Sequence, residues 1–215
     1  MELDEHEQGE LVRKWLRQNG SSLITGIAMG LALVFAWQWW QGKGVRHQEE
    51  AVTQYQGFVE ALDAKDAAKA NTFAALLAAK YADTPYSELA VLRNAAFLQA
   101  AGKTDEALKL LRSTQPKVER PEMSEMFSLR LGRLLLIAGK NEEARKLVDS
   151  IGKPRFPAIA NELRGDIAAA EGRRDDARKA YEIALTTLDQ AAPTRNLLEL
   201  KLIDAGGQPP AKPES

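Results

Sequence analysis

Two histidines, several adjacent carboxylates and four glycine-lysine steps are the residues of this chain that could carry chemistry. His6 and His47 both lie in polar sequence, so neither has the partner that a catalytic triad or a metal cluster requires. They read as structural or solvent residues. Adjacent acids such as Asp105 and Glu106 are the residue types of general acid–base catalysis. They recur, however, at expected helix starts, where carboxylates complement the positive end of the helix dipole. No complete phosphate-cradling loop of the form Gly-x-x-x-x-Gly-Lys-Ser/Thr occurs, and "GKG" at 42–44 reads as a flexible exit from the apolar run before it. The sequence contains no cysteine, which excludes disulfides, thiol catalysis and thiolate metal sites. No catalytic residue, metal or cofactor is expected.

The acidic pairs belong to a repeat. "GKTDEA" at 102–107, "GKNEEA" at 139–144 and "GRRDDA" at 172–177 share one ladder of Gly, basic, variable, acidic, acidic and Ala, at intervals of 37 and 33 residues. Gly102, Gly139 and Gly172 follow apolar helical stretches and suit the left-handed conformation that ends a helix. Thr104, Asn141 and Asp175 are the expected N-caps of the helices that follow. Ala107, Ala144 and Ala177 put a small side chain where two helices cross closely. Twelve residues before each lies a second small residue, namely Ala95, Gly132 and Gly165. The unit is therefore a helical hairpin with small packing positions on both helices. It resembles the tetratricopeptide repeat, in three copies over roughly 88–190, although the large aromatic expected early in each first helix is missing.

A divergent hairpin is expected before these copies, over about 46–86. "AVTQYQGFVEALDA" spaces Val52, Tyr55, Phe58, Val59 and Leu62 for one helix face, and "ANTFAALLAAKYADTPY" supplies a second helix that Pro85 ends. "RNLLELKLIDAG" reads as a terminal helix capping the stack, and "GGQPPAKPES", 206–215, as a disordered tail. The expected fold is all-α: one membrane helix, then an α-solenoid of about four hairpins and a C-terminal capping helix.

The membrane helix is residues 23–40, an uncharged run in which only Thr25 and Gln38 are polar. Eighteen helical residues span roughly 27 Å, close to a hydrocarbon core of about 30 Å. The run ends at Trp37, Trp39 and Trp40, which suit a membrane interface better than a signal-peptidase site, so an uncleaved anchor over 20–42 is expected. Arg13, Lys14 and Arg17 precede it, whereas only Lys43 and Arg46 follow closely. That difference biases the N-terminal segment, 1–19, to the cytoplasmic side and the domain over 43–205 to the other. Ser22, Gly26 and Gly30 fall every four residues and form a candidate packing face for another membrane helix, the alternative being that glycine is simply common in such helices. "ELVRKWLRQN" gathers Leu11, Trp15 and Leu16 beside three cations, either along the membrane surface or as an ordinary anchor flank.

Lys and Arg total 29 against 30 Asp and Glu. Residues 1–19 hold three of the former and five of the latter, so the body is nearly neutral and carries no electrostatic footprint for nucleic acid. The order of parts, together with "ELVRKWLRQNG", "KYADTPYSELA", "NELRGDIAAAEG" and "LELKLIDAG", closely resembles the ancillary SecYEG translocon subunit family, the YfgM type, over almost all of 8–205. The resemblance implies a single-pass protein of the bacterial inner membrane with a periplasmic repeat domain. It implies association with SecYEG and the periplasmic chaperone PpiD, and a non-catalytic role in protein secretion that extends to secreted or envelope clients. The alternative is a membrane-anchored scaffold for another cell-envelope assembly machine.

Overall fold

The structure is a computed structural model that describes residues 3–209. The rest of the expected tail, 210–215, lies outside the described residues. The described residues form nine α-helices and one short 3-10 turn, with no strand. The chain divides into two compact units, Met1–Thr53 and Gln54–Ser215.

The first unit is helical from Leu3 onward and belongs to α1, Leu3–Asp63. Its most apolar stretch has a mean hydropathy of 1.7 and is wholly exposed. Among the described residues this is the one helix long and apolar enough to cross a membrane. Ile24, Leu33, Phe35 and Trp39 are all exposed, which water would penalise and lipid would not. The Thr25 hydroxyl donates to the Ser21 carbonyl at 2.8 Å, so this polar group is satisfied within the helix. The flexible exit expected at 42–44 is instead helical. Glycine keeps both backbone hydrogen-bonding groups, and each costs a helix interior only about 1 kcal/mol relative to alanine.

The second unit stacks hairpins. The end of α1 contributes the buried Phe58, Ala61 and Leu62. After it comes α2, Ala67–Lys80, capped by Asp66, whose Oδ1 accepts from the Lys69 N–H at 3.0 Å. Three hairpins follow: α3 (Pro85–Ala100) with α4 (Thr104–Thr114), α5 (Pro121–Ile137) with α6 (Asn141–Asp149), and α7 (Pro157–Ala170) with α8 (Arg174–Thr187). Helix α9, Arg195–Asp204, packs on α8 through Leu198 and Leu202. Pro85 does not end the helix before it, since α2 stops at Lys80 with Tyr81 as its C-cap. It opens α3, just as Pro121 and Pro157 open α5 and α7 at equal steps of 36 residues, because proline's fixed φ and missing N–H suit the first helical position.

The glycine ladder makes the turns. Gly102, Gly139 and Gly172 have φ of 77°, 72° and 75°. The following N–H closes back to the carbonyl five residues earlier: Lys103 to Leu98 at 2.8 Å, Lys140 to Leu135 at 2.9 Å and Arg173 to Ala168 at 2.9 Å. The same basic residue then offers its carbonyl to the N–H of Ala107, Ala144 or Ala177 at 3.0–3.1 Å. One residue thus ends one helix and caps the next. For this reason the N-caps are Lys103, Lys140 and Arg173, and not the expected Thr104, Asn141 and Asp175, which already lie inside the helices. Gly206, φ 85°, closes α9 in the same way.

Candidate functional site

The small positions of the repeat sit at the helix crossings. Ala95, Ala107, Ala144 and Ala177 have no exposed surface. A Cβ added to Gly132 would lie 2.9 Å from Val148 Cγ2 and 3.2 Å from Leu163 Cδ2, and one added to Gly165 would run into the Tyr181 ring. Val148 and Tyr181 stand one turn beyond Ala144 and Ala177. Each first-helix glycine therefore seats a large second-helix side chain, while the alanine lets the backbones approach. Ser22, Gly26 and Gly30 are exposed, and Cβ atoms added at the two glycines would meet nothing within 4 Å. In the N-terminal flank, Trp15 and Leu16 are exposed and the Leu11 side chain lies outside the described ones.

The hairpins leave an apolar groove that sequence reasoning missed. Its volume is about 390 Å³, and it is lined by the first helix of each hairpin and the end of α1, with nothing from α4, α6 or α8. Leu89 and Leu92 of α3, Leu129 of α5 and Phe156 at the start of α7 form its floor, beside the exposed Met126 and Ile159. Tyr55 closes the α1 side, its ring 5.8 Å from that of Tyr86. Glu125 fixes the α7 side: its carboxylate accepts the N–H of Arg155 at 2.8 Å and of Phe156 at 2.9 Å, so two loop donors are satisfied where the groove wall turns.

Three guanidiniums, Arg93, Arg130 and Arg133, line the groove, and no carboxylate does. Arg93 meets Asp63 at 3.4 Å where both are exposed, an arrangement worth little in water. Arg133 lies 3.9 Å from Glu162 and 3.7 Å from Asp166, outside the groove. Those two acids also hold Lys201 at 2.6 and 2.8 Å, tying α9 to α7. Asp166 further accepts from the Tyr181 hydroxyl at 2.9 Å. Burial, and then the Asp166 charge, push the Tyr181 phenol well above its ordinary range. Arg130 Nη2 reaches only Gln99 Oε1, at 3.4 Å, and its buried Nε has no hydrogen-bond partner among the described residues. Burial, followed by the Arg133 charge, lowers the Arg130 pKa from its ordinary value. Guanidinium still stays charged at any physiological pH.

A signal for the groove exists in the sequence. Leu92 and Arg93 lie ten and nine residues before Gly102, as Leu129 and Arg130 do before Gly139. The third copy breaks the pattern with Glu162 and Leu163. Among the described residues no group of three or more metal-ligating side chains is gathered.

Two relatives are similar over most of their length. The ancillary SecYEG translocon subunit of Escherichia coli K12 is 24% identical, covering 93% of this chain and 95% of the relative. The ancillary SecYEG translocon subunit of Haemophilus influenzae is 22% identical, covering 85% of this chain and 89% of the relative. A family model described as a tetratricopeptide repeat-like domain matches residues 13–207, spanning the apolar helix and every hairpin. On that match the chain belongs to the tetratricopeptide repeat-like domain family.

Proposed function

We propose that this protein is a non-catalytic accessory of Sec-dependent secretion, held in the bacterial inner membrane by α1 and using its periplasmic hairpins to keep a chaperone or an emerging client near the channel. The observation that carries this reading is the similarity to ancillary SecYEG translocon subunits, which runs through both the apolar helix and the repeats. A membrane helix and a protein-binding solenoid on one chain raise the local concentration of whatever the repeats hold. The chaperone PpiD is the partner that the family resemblance suggests. The groove, with its apolar floor and polar rim, gives a non-catalytic role a physical surface to work through.

Affinity purification of the full-length chain from mild detergent tests the assignment. Co-purification of SecYEG at near-stoichiometric yield, with PpiD, is the expected result. A different stoichiometric complex would instead assign the protein to another envelope assembly machine, and recovery of SecYEG without PpiD would remove the chaperone link alone.

A further inference from the structure

We infer that the free face of α9 pairs with α9 of a second copy of this chain, antiparallel and across a two-fold axis at Leu200. Self-pairing goes beyond the secretion reading and does not depend on which membrane machine the protein serves.

The terminal helix of a solenoid ordinarily needs a polar outer face to stay soluble. Helix α9 lacks one. Leu198 and Leu202 are buried against α8, while Leu197, Leu200 and Ile203 on the opposite side of the helix are 54%, 59% and 50% exposed. Register explains what this face is. Gly206 is a fourth rung of the glycine ladder, and the Gly207 N–H closes on the Leu202 carbonyl at 2.9 Å as in the upstream turns. Six residues before their glycines stand Arg133 and Asp166, and each is met by the next first helix: Arg133 by Asp166 at 3.7 Å, and Asp166 by Lys201 of α9 at 2.8 Å. Leu200 holds the same position in α9. It marks the surface on which one more first helix would stack, and among the described residues none covers it.

The residues of this face are nearly palindromic about Leu200. Leu197 and Ile203 stand three residues to either side and Asn196 and Asp204 four, all of them exposed. In an antiparallel pair centred on Leu200, that leucine meets its own copy, Leu197 lies level with the partner's Ile203, and the Asn196 amide lies level with the partner's Asp204 carboxylate. A parallel pair would set the two Asp204 carboxylates against each other and lose both amide–carboxylate contacts. The other charges of the helix raise no obstacle, because Glu199 is held by Arg195 at 3.1 Å and Lys201 by Glu162 and Asp166 within its own chain. A foreign apolar helix could cover the leucines but would not need the matched Asn196 and Asp204. One helix face is smaller than the roughly 800 Å² per partner of a standard interface, so pairing should be weak in dilute solution and favoured when two copies share a membrane.

The sequence has no cysteine, so introduced cysteines report contacts without background from the chain itself. Full-length protein bearing two different epitope tags is made in one cell, and isolated membranes are oxidised with copper phenanthroline. Leu200→Cys should give a disulfide dimer that contains both tags. Asn196→Cys alone should not, because its two copies would lie about 12 Å apart along the paired helices, beyond the roughly 7 Å reach of a disulfide. Asn196→Cys on one copy with Asp204→Cys on the other should link. In the Leu200→Cys chain, Asn196→Asp sets carboxylate against carboxylate and should cut the dimer yield at least about fivefold, and adding Asp204→Asn should restore it. Both changes suit the helix dipole, so neither should weaken α9 itself. Melting curves identify a misfolded variant, and the Asn196→Cys and Asp204→Cys pair carries the same test if Leu200→Cys unfolds. No two-tag dimer from the folded chains, linkage through Asn196→Cys alone, or a yield indifferent to Asn196→Asp would each overturn the proposal.

Discussion

Ala144 shows how one methyl group sets a helix crossing. It has no exposed surface, its N–H closes on the Lys140 carbonyl at 3.0 Å, and Val148, one turn later, fills the space over Gly132. A phenyl ring there has no room unless α5 and α6 separate. Ala144→Phe should therefore cost about 1–3 kcal/mol, the usual range for overpacking, whereas Lys140→Phe on the exposed turn should cost far less. Thermal melts of the two variants check this, and equal melting temperatures would contradict the crossing. Tyr181 adds a pH dependence to the same packing. Its phenol is pushed above the ordinary value near 10 by burial and by Asp166, so the folded chain keeps a proton that the unfolded chain loses. Stability from this group is complete below about pH 10 and falls as pH rises toward the folded value. Tyr181→Phe should flatten the alkaline fall in melting temperature above about pH 10, after allowance for its lost hydrogen bond at neutral pH. An unchanged alkaline slope would show that the phenol titrates freely.

At the scale of elements, the second helices were legible because each begins with the same short ladder, and the glycine within it needs a backbone that other residues adopt only with strain. The capping residue was misplaced by one or two positions for a physical reason. When a basic residue's N–H closes one helix and its carbonyl starts the next, no side-chain oxygen is needed, and composition carries no trace of that economy. The proline ladder and the groove were missed because their signal is spread over 36 or 37 residues at positions that look like ordinary amphipathic helix. The apolar segment of α1 was legible from length and charge alone, but a packing face on it is not visible in one isolated helix. We propose that Gly26 and Gly30 form such a face. Isoleucine at both keeps the helix long and apolar enough to insert while preventing close backbone approach. Blue-native electrophoresis should then show the double variant at normal membrane level but with less of it in the SecYEG complex proposed above. Unchanged co-migration would mean that the glycines are ordinary membrane-helix residues and that the contact lies elsewhere.

For the whole molecule the open physical choice is which side of the membrane receives the hairpins. Hydrophobicity does not decide it, since residues 23–40 would insert equally well either way. The flanking cations bias it. Arg13, Lys14 and Arg17 precede the run, while only Lys43 and Arg46 follow within a few residues, and the acids Glu2, Asp4, Glu5, Glu7 and Glu10 weigh little because orientation follows Lys and Arg rather than net charge. A difference of one cation is a small bias, so it should be reversible. Alkaline phosphatase fused after residue 205 should be active, because the enzyme folds only outside the cytoplasm. Replacing Arg13, Lys14 and Arg17 with glutamine leaves the charge excess on the other flank, and the same fusion should lose a measurable part of its activity as a fraction of chains inserts inverted. Inactive phosphatase in the unaltered protein, with a cytoplasmic reporter active at the same position, would put the groove in the cytoplasm. Whatever the hairpins hold would then have to come from the cytoplasm and not from a periplasmic chaperone or client.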